Sequence, residues 1–256
     1  MFCVLSINEM RIMDNESIYR LRSTDDNTID ELINSYLWFS KPAGFKDNQD
    51  SNIQAYFDNC DILDGALKES YSDEDRKLLI KKLRNIGICC FTDKLLTYSS
   101  RKRFPRGMKS ICVEYNKNML EHHFLYSQYA LANCFKEVSY YTNPTMFSKD
   151  GDYHIVTQED ENGFWSEPVR LLINDPKKMD KLLWMMFTRI DKRFQAQREW
   201  RIVLAGRNIP SFDDNILGYK VPIPEDAITA IHTYPNTPQE FIERIKQIEH
   251  LSPKLR

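Results

Sequence analysis

Glycine is scarce in this chain, with eight in 256 residues. Loops that cradle phosphates or present a nucleophile on a sharp elbow need glycine, because the backbone must come close or turn hard. No G-x-G-x-x-G, Walker or G-x-S-x-G run occurs, which excludes the nucleotide-binding and hydrolase classes built on them. There are no repeats and no low-complexity linker, so two domains on a flexible tether are not expected and residues 1–256 read as one domain. No apolar run approaches the roughly 20 residues that a membrane-spanning helix needs. The start, MFCVLSINEMRIMD, lacks the basic opening and long apolar stretch of a signal peptide, so a cytoplasmic protein without membrane contact is expected. The six cysteines form no C-x-x-C pair, and Cys89, Cys90 and Cys112 sit in apolar runs. Free thiols in a reducing compartment fit that pattern better than a disulfide scaffold or a zinc site. Neither charge dominates, with 35 basic against 37 acidic residues, so any nucleic-acid surface must be a local patch.

Hydrophobic residues make up 42% and charged residues 28%, ordinary values for a globular chain. Short β-branched or aromatic runs predict strands at 17–22, 36–40, 86–91, 110–115, 137–141, 200–205, 217–223 and 227–232. Helices are predicted at 30–34, at 73–84 behind Ser72 as a cap, at 118–134, at 176–191 behind a first-turn proline, and at 238–250. The later strands follow one another through short turns, which favours an α+β fold with a largely antiparallel sheet. Two stretches read as exposed loops. One is the polar run Asp47–Asn52. The other, SSRKRFPRGMK at 99–109, holds five basic residues around one Phe and one Pro. It reads either as a solvated loop or as a phosphate and base contact.

Three segments could carry chemistry. In Ile18-Tyr19-Arg20-Leu21-Arg22 the two-residue period sets Ile18, Arg20 and Arg22 on one face, with Tyr19 and Leu21 on the other. A guanidinium suits a pyrophosphate because it is a planar fork of donors that keeps its charge; the plain alternative is a surface ion pair. In Tyr36-Leu37-Trp38-Phe39-Ser40, Trp38 and Ser40 share a face opposite Leu37 and Phe39, and core packing alone accounts for the aromatics. In Gln197-Arg198-Glu199-Trp200-Arg201-Ile202, alternation throws Gln197, Glu199 and Arg201 to one side and Trp200, Ile202 and Leu204 to the core. A carboxylate there could stabilise positive charge on a ribose as an N-glycosidic bond breaks, or simply pair with Arg198 or Arg201. Glu121-His122-His123 invites a metal, but adjacent residues on a helix point about 100° apart and do not share one ion, so no metal is expected.

Together these segments resemble a large bacterial family of uncharacterised domains. That family has a first strand like YRFRS, then LWFSxPxxFxD, a GxCxEY strand and a late ExEWRI. The matches are Ile18–Ser23, Leu37–Pro42 with Phe45 and Asp47, Ile88–Thr92, Ser110–Tyr115 and Gln197–Ile202, in the same order over most of the chain. Two positions depart from it. Leu95-Leu96-Thr97-Tyr98 replaces a Trp-Ser-His-Tyr-like segment, and Asp47 is followed by Asn48 rather than proline.

The order of Tyr-Arg on an early strand, Ser ending the next, and Q/E-x-E beginning a late one is similar to the Arg-Ser-Glu class of ADP-ribosyltransferases. That resemblance implies a split, mostly antiparallel sheet flanked by helices and NAD as substrate. It implies that Arg20 holds the NAD phosphates and nicotinamide ribose, and that Ser40 braces the Arg/Glu constellation and the same ribose. Glu199 would stabilise the ribosyl oxocarbenium and Gln197 would orient the acceptor. Tyr19, Arg22, Trp38 and Phe39 would complete the NAD contacts. Only one serine stands where that class has Ser-Thr-Ser. The implied role is a bacterial toxin or phage-defence effector acting on a macromolecule, nucleic acid somewhat before protein, with a cognate antitoxin as partner. The rival readings are a non-catalytic nucleic-acid-binding module, and a nuclease or hydrolase using Glu199 with Glu114.

Overall fold

In the computed structural model, residues 16–45, 50, 51, 53, 73–84, 86–97, 109–125, 130–142, 157–160, 163–166, 175–204 and 217–256 are described. Among the described residues the first elements are β1 (Ser17–Ser23), α1 (Asp26–Ile33), β2 (Tyr36–Ser40), α2 (Asp73–Arg84), β3 (Gly87–Thr92), β4 (Ser110–Asn116) and α3 (Lys117–Leu125). It continues with β5 (Ala130–Glu137), β6 (Ser139–Tyr141), β7 (Thr157–Asp160), β8 (Gly163–Ser166), α4 (Pro176–Phe187) and β9 (Arg189–Asp191). A short 3₁₀ turn (Lys192–Gln197) leads into β10 (Glu199–Leu204), followed by β11 (Gly218–Pro222), β12 (Ile228–His232) and α5 (Gln239–Lys246). This is an α+β fold with a mostly antiparallel sheet; β6 with β9 and the isolated bridge Ile231–Leu255 are parallel.

The chain forms two compact units, each assembled from separated stretches: Met1–Leu37, Phe91–Tyr126 and Val221–Arg256 in the first, Trp38–Cys90 and Ser127–Lys220 in the second. In the first unit β4 lies between β1 and β12, and the end of β3 pairs with β1 through Tyr19 and Thr92. One face of β1 is buried and the other is not, following the alternation of its sequence. α1 begins where the Asp25 carboxylate accepts the Thr28 N–H at 2.9 Å, satisfying one donor that the first helical turn leaves open. It buries Ile29 and Leu32, one turn apart. α5 buries Phe241 and Ile245, four residues apart and so also on one helix face.

In the second unit the order is β11–β2–β3–β10–β5. Gly218 is required by the approach of β11 to β2, since a Cβ there would lie 2.3 Å from the Phe39 carbonyl oxygen. α4 is capped by Asp175, whose carboxylate accepts the Lys177 and Lys178 N–H groups, with Pro176 in the first turn. Its final residues, Leu182–Phe187, are all buried.

Several expectations need correction. The helix expected at 118–134 ends at Leu125, and from Ala130 the chain is strand β5. There Phe135 pairs with Ile202 and Lys136 with Arg201, so ladder hydrogen bonds to a distant strand outweigh a local helical pattern. The helix expected to run to Asp191 stops at Phe187, where the Thr188 hydroxyl donates to the Trp184 carbonyl. Residues 189–191 then pair with β6. The helix expected at 30–34 begins four residues earlier, at Asp26. β7 and β8 pair as an antiparallel hairpin in a region where the sequence pattern predicts no strand. The proposed cap Ser72 and all of the basic loop 99–109 but Lys109 lie outside the described residues. Among the described residues, no helix is long and apolar enough to cross a membrane.

Candidate functional site

The second unit gathers its polar groups around β10. A charged residue in a strand buried on both faces needs partners, and Arg201 has no exposed surface. Its Nε donates to Glu199 Oε1 at 2.7 Å, and its two terminal nitrogens grip the two oxygens of Asp50 at 2.8 Å each. The Ser51 hydroxyl at 3.1 Å and the Phe187 carbonyl at 2.8 Å complete the set, and the Phe45 ring lies 5.4 Å from the guanidinium carbon. Burial alone would lower the pKa of this guanidinium, but the Asp50 and Glu199 carboxylates hold it well above its usual value.

Glu199 is 7% exposed and stands at the first position of β10. Its N–H donates to the Tyr140 hydroxyl at 2.7 Å, and its carbonyl accepts the Val138 N–H at 2.9 Å. Tyr140 is pushed up to about 12, by burial first and then by the nearby Glu199 charge. The half-buried Cys90 thiol hydrogen-bonds Glu199, and burial together with that carboxylate raises its pKa well above the ordinary thiol range. Cys90 is therefore a weak nucleophile.

Ser40 pairs with Ile88, so the pleat puts Trp38, Ser40 and Cys90 on one sheet face. Because Cys90 meets Glu199, the four residues Trp38, Ser40, Cys90 and Glu199 share that face of the second unit. Phe39 points the other way and is fully buried, and a Cβ on Gly87 would come within 2.8 Å of its own Cβ. Its ring belongs to the core. Gln197 also differs from expectation. It ends the 3₁₀ turn, and Arg198 adopts φ 48° and ψ 54°, so strand alternation does not extend back from Glu199 to Gln197. Trp200, expected in the core, is half-buried against Phe135, with ring centroids 5.6 Å apart.

Arg20 and Arg22 belong to the first unit. Neither is a surface ion pair. Arg20 Nη1 lies 2.5 Å from Glu31 Oε1 and Arg22 Nη2 lies 2.6 Å from Glu31 Oε2, with all three side chains at most 10% exposed. On the other face of β1, Tyr19 lies 6.2 Å from the His232 ring. Glu114 accepts the Ser17 hydroxyl at 2.5 Å and meets His232 Nε2 at 2.7 Å. His123 Nε2 donates to the Pro222 carbonyl, and among the described residues no group of three or more His, Cys, Asp or Glu could hold a metal.

The sequence reading missed Asp50, Ser51, Cys90 and Tyr140. The polar run Asp47–Asn52 predicts an exposed loop, yet within it Ser51 is buried and Asp50 is half-buried. A buried arginine at Arg201 would have called for an acid like Asp50, but nothing local said that Arg201 was buried. Comparison with protein-family models, curated proteins and solved structures gave no match to this chain.

Proposed function

We propose that the chain is an NAD-dependent ADP-ribosyltransferase of the Arg-Ser-Glu kind, with Glu199 as its catalytic carboxylate. The observation that carries this reading is the fixing of Glu199: Arg201 holds one oxygen at 2.7 Å, and Asp50 holds Arg201 with both of its own. A carboxylate oriented before substrate arrives, in a place where water is sparse, stabilises a developing cation without reorganising. In the proposed step the bond from the nicotinamide nitrogen to ribose C1′ breaks, and nicotinamide leaves with the electron pair. An acceptor nitrogen or oxygen then bonds to C1′ and releases its proton. Ser40 and Trp38, on the same sheet face as Glu199, suit the nicotinamide ribose and the ring.

The roles of Arg20 toward the phosphates, of Arg22 and Tyr19 as further NAD contacts, and of Gln197 toward the acceptor, rest on the resemblance. For Arg20, phosphate binding means sharing its guanidinium with Glu31. Bacterial enzymes of this class commonly serve as toxins or phage-defence effectors held in check by an antitoxin, and the same role is proposed here.

The test is nicotinamide release and label transfer from labelled NAD in cell lysate. The wild type is expected to turn over, and Glu199→Gln, close in size and shape, is expected to fall by at least about a hundredfold. Full activity in Glu199→Gln would sink the assignment. A second reading has its own observation: Glu114 and His232, 2.7 Å apart and both about a fifth exposed, form an acid–base couple suited to a hydrolase. It is favoured if NAD is inert and an ester or phosphodiester hydrolysis is lost in Glu114→Gln.

A further inference from the structure

The ten residues before Glu199, Arg189 to Arg198, carry four basic side chains, Arg189, Lys192, Arg193 and Arg198, and one acid, Asp191. In the second unit they form β9, the 3₁₀ turn and the left-handed residue that turns into β10. Pairing of β9 with β6 sets Ser139 opposite Arg189 and Tyr141 opposite Asp191, so these four share one strand face. On it the Arg189 guanidinium lies over the Tyr141 ring at 4.8 Å, and Tyr141 is 39% exposed. Further on, the Arg193 guanidinium lies 5.4 Å from the Phe194 ring, with the Arg193 side chain 62% exposed. Lys192 and Arg198 are exposed as well. Asp191 is committed to this local structure, accepting the Arg193 N–H at 2.8 Å and meeting Arg193 Nε at 3.1 Å.

Cations set against aromatic rings, Tyr141 exposed and Phe194 half-buried, suit a chain that repeats a phosphate and an unstacked base. Guanidinium and ammonium groups meet the phosphates, while Tyr141 and the planar guanidinium of Arg189 offer surfaces on which a base can stack. A duplex hides its base faces, and an acidic peptide has none to stack. The surface also adjoins the candidate catalytic carboxylate. From the half-buried side of β6, Tyr140 takes the Glu199 N–H at 2.7 Å, one residue from Tyr141, and Arg198 directly precedes Glu199.

We infer that the surface formed by Tyr141, Arg189, Lys192, Arg193 and Arg198 binds single-stranded nucleic acid and presents it as the acceptor at Glu199. The role as acceptor rests on the transferase reading; the binding does not. Binding is therefore measured without NAD, by fluorescence anisotropy of the full chain with a labelled oligouridylate of about sixteen nucleotides. Salt-dependent binding is expected. Arg189→Ala, Arg193→Ala and Arg198→Ala combined should weaken it at least tenfold and flatten the plot of log affinity against log salt, by about 0.7 for each phosphate that is no longer neutralised. Tyr141→Leu should weaken binding while leaving the salt slope unchanged, because it removes stacking and not charge. An unchanged thermal midpoint in each variant shows that the fold is kept; if the triple variant does not fold, Tyr141→Leu and the single Arg193→Ala, at an exposed side chain, carry the test.

Three outcomes overturn the inference: no binding at low salt, binding that the variants leave intact, or polyglutamate bound as tightly as the oligonucleotide. The last points to an acidic protein partner. Salt-dependent binding sensitive to the variants, with no NAD turnover, keeps the surface and removes the transferase.

Discussion

A guanidinium with no exposed surface must find acceptors for donors that water would otherwise serve, and Arg201 finds them in Glu199, Asp50, Ser51 and the Phe187 carbonyl. Two carboxylates against one cation leave the cluster sensitive to either loss. Removing the arginine strands Asp50 and Glu199 together. Arg201→Met is therefore expected to destabilise by about 3–5 kcal/mol, the usual cost of breaking a buried pair from one side. Chemical denaturation measures it. Asp50→Asn added to Arg201→Met should restore part of the loss, and a purely additive double mutant would show that the two residues do not act as a pair. Nothing in the hexapeptide Gln197–Ile202 announces this arrangement. Alternation placed Arg201 beside Glu199, which holds, and the depth of burial came from strands on either side. The same alternation failed at Gln197, because the left-handed turn at Arg198 resets the pleat.

At the scale of elements, the caps decide where helices begin, and those signals are local. Asp25 before α1 and Asp175 before α4 both accept first-turn N–H groups. Burial works against the Asp25 charge, but hydrogen bonds from Ser23 and Thr28 together with Arg22 nearby bring its pKa below the ordinary value. Its folded pKa is thus lower than its unfolded one, so its contribution is present above about pH 4 and fades as pH falls through the folded value. Asp25→Ala is expected to cost about 1 kcal/mol at neutral pH. The difference between wild type and variant should shrink on acidification; a gap that is constant down to strong acid would show that the cap acts without its charge. Helix ends are less legible than starts. α3 and α4 both stop short of their apolar patterns, because the residues that follow, Ala130–Glu137 and Arg189–Asp191, are taken into strand pairs.

For the molecule as a whole, phenols that are buried or half-buried weigh on stability at alkaline pH. Tyr140 and Tyr219 are pushed up to about 12, both chiefly by burial, and Tyr36 is raised further by burial and its hydrogen bond to Asp30. Each gives up its proton more readily when the chain is unfolded. Above about pH 10 the unfolded state therefore gains and stability falls with rising pH. Ultraviolet titration of phenolate should show a late group of tyrosines that ionise together with loss of the near-ultraviolet dichroism. If all the tyrosines titrate near their ordinary value while the fold persists, burial of these phenols is overstated.

The sequence by itself determined the mixed α+β class, the place of most strands and helix starts, and the neighbours Glu199 and Arg201. These follow from two-residue and helical periods, caps and turn residues, which act over a few positions. Only the tertiary structure decided that Asp50 and Ser51 hold Arg201, that Cys90 and Tyr140 attend Glu199, and that Arg20 and Arg22 converge on Glu31. Asp50 and Arg201 lie 151 positions apart, and no local period encodes such a contact. It exists because burying a charge in a strand is tolerable only where the fold brings a partner to it.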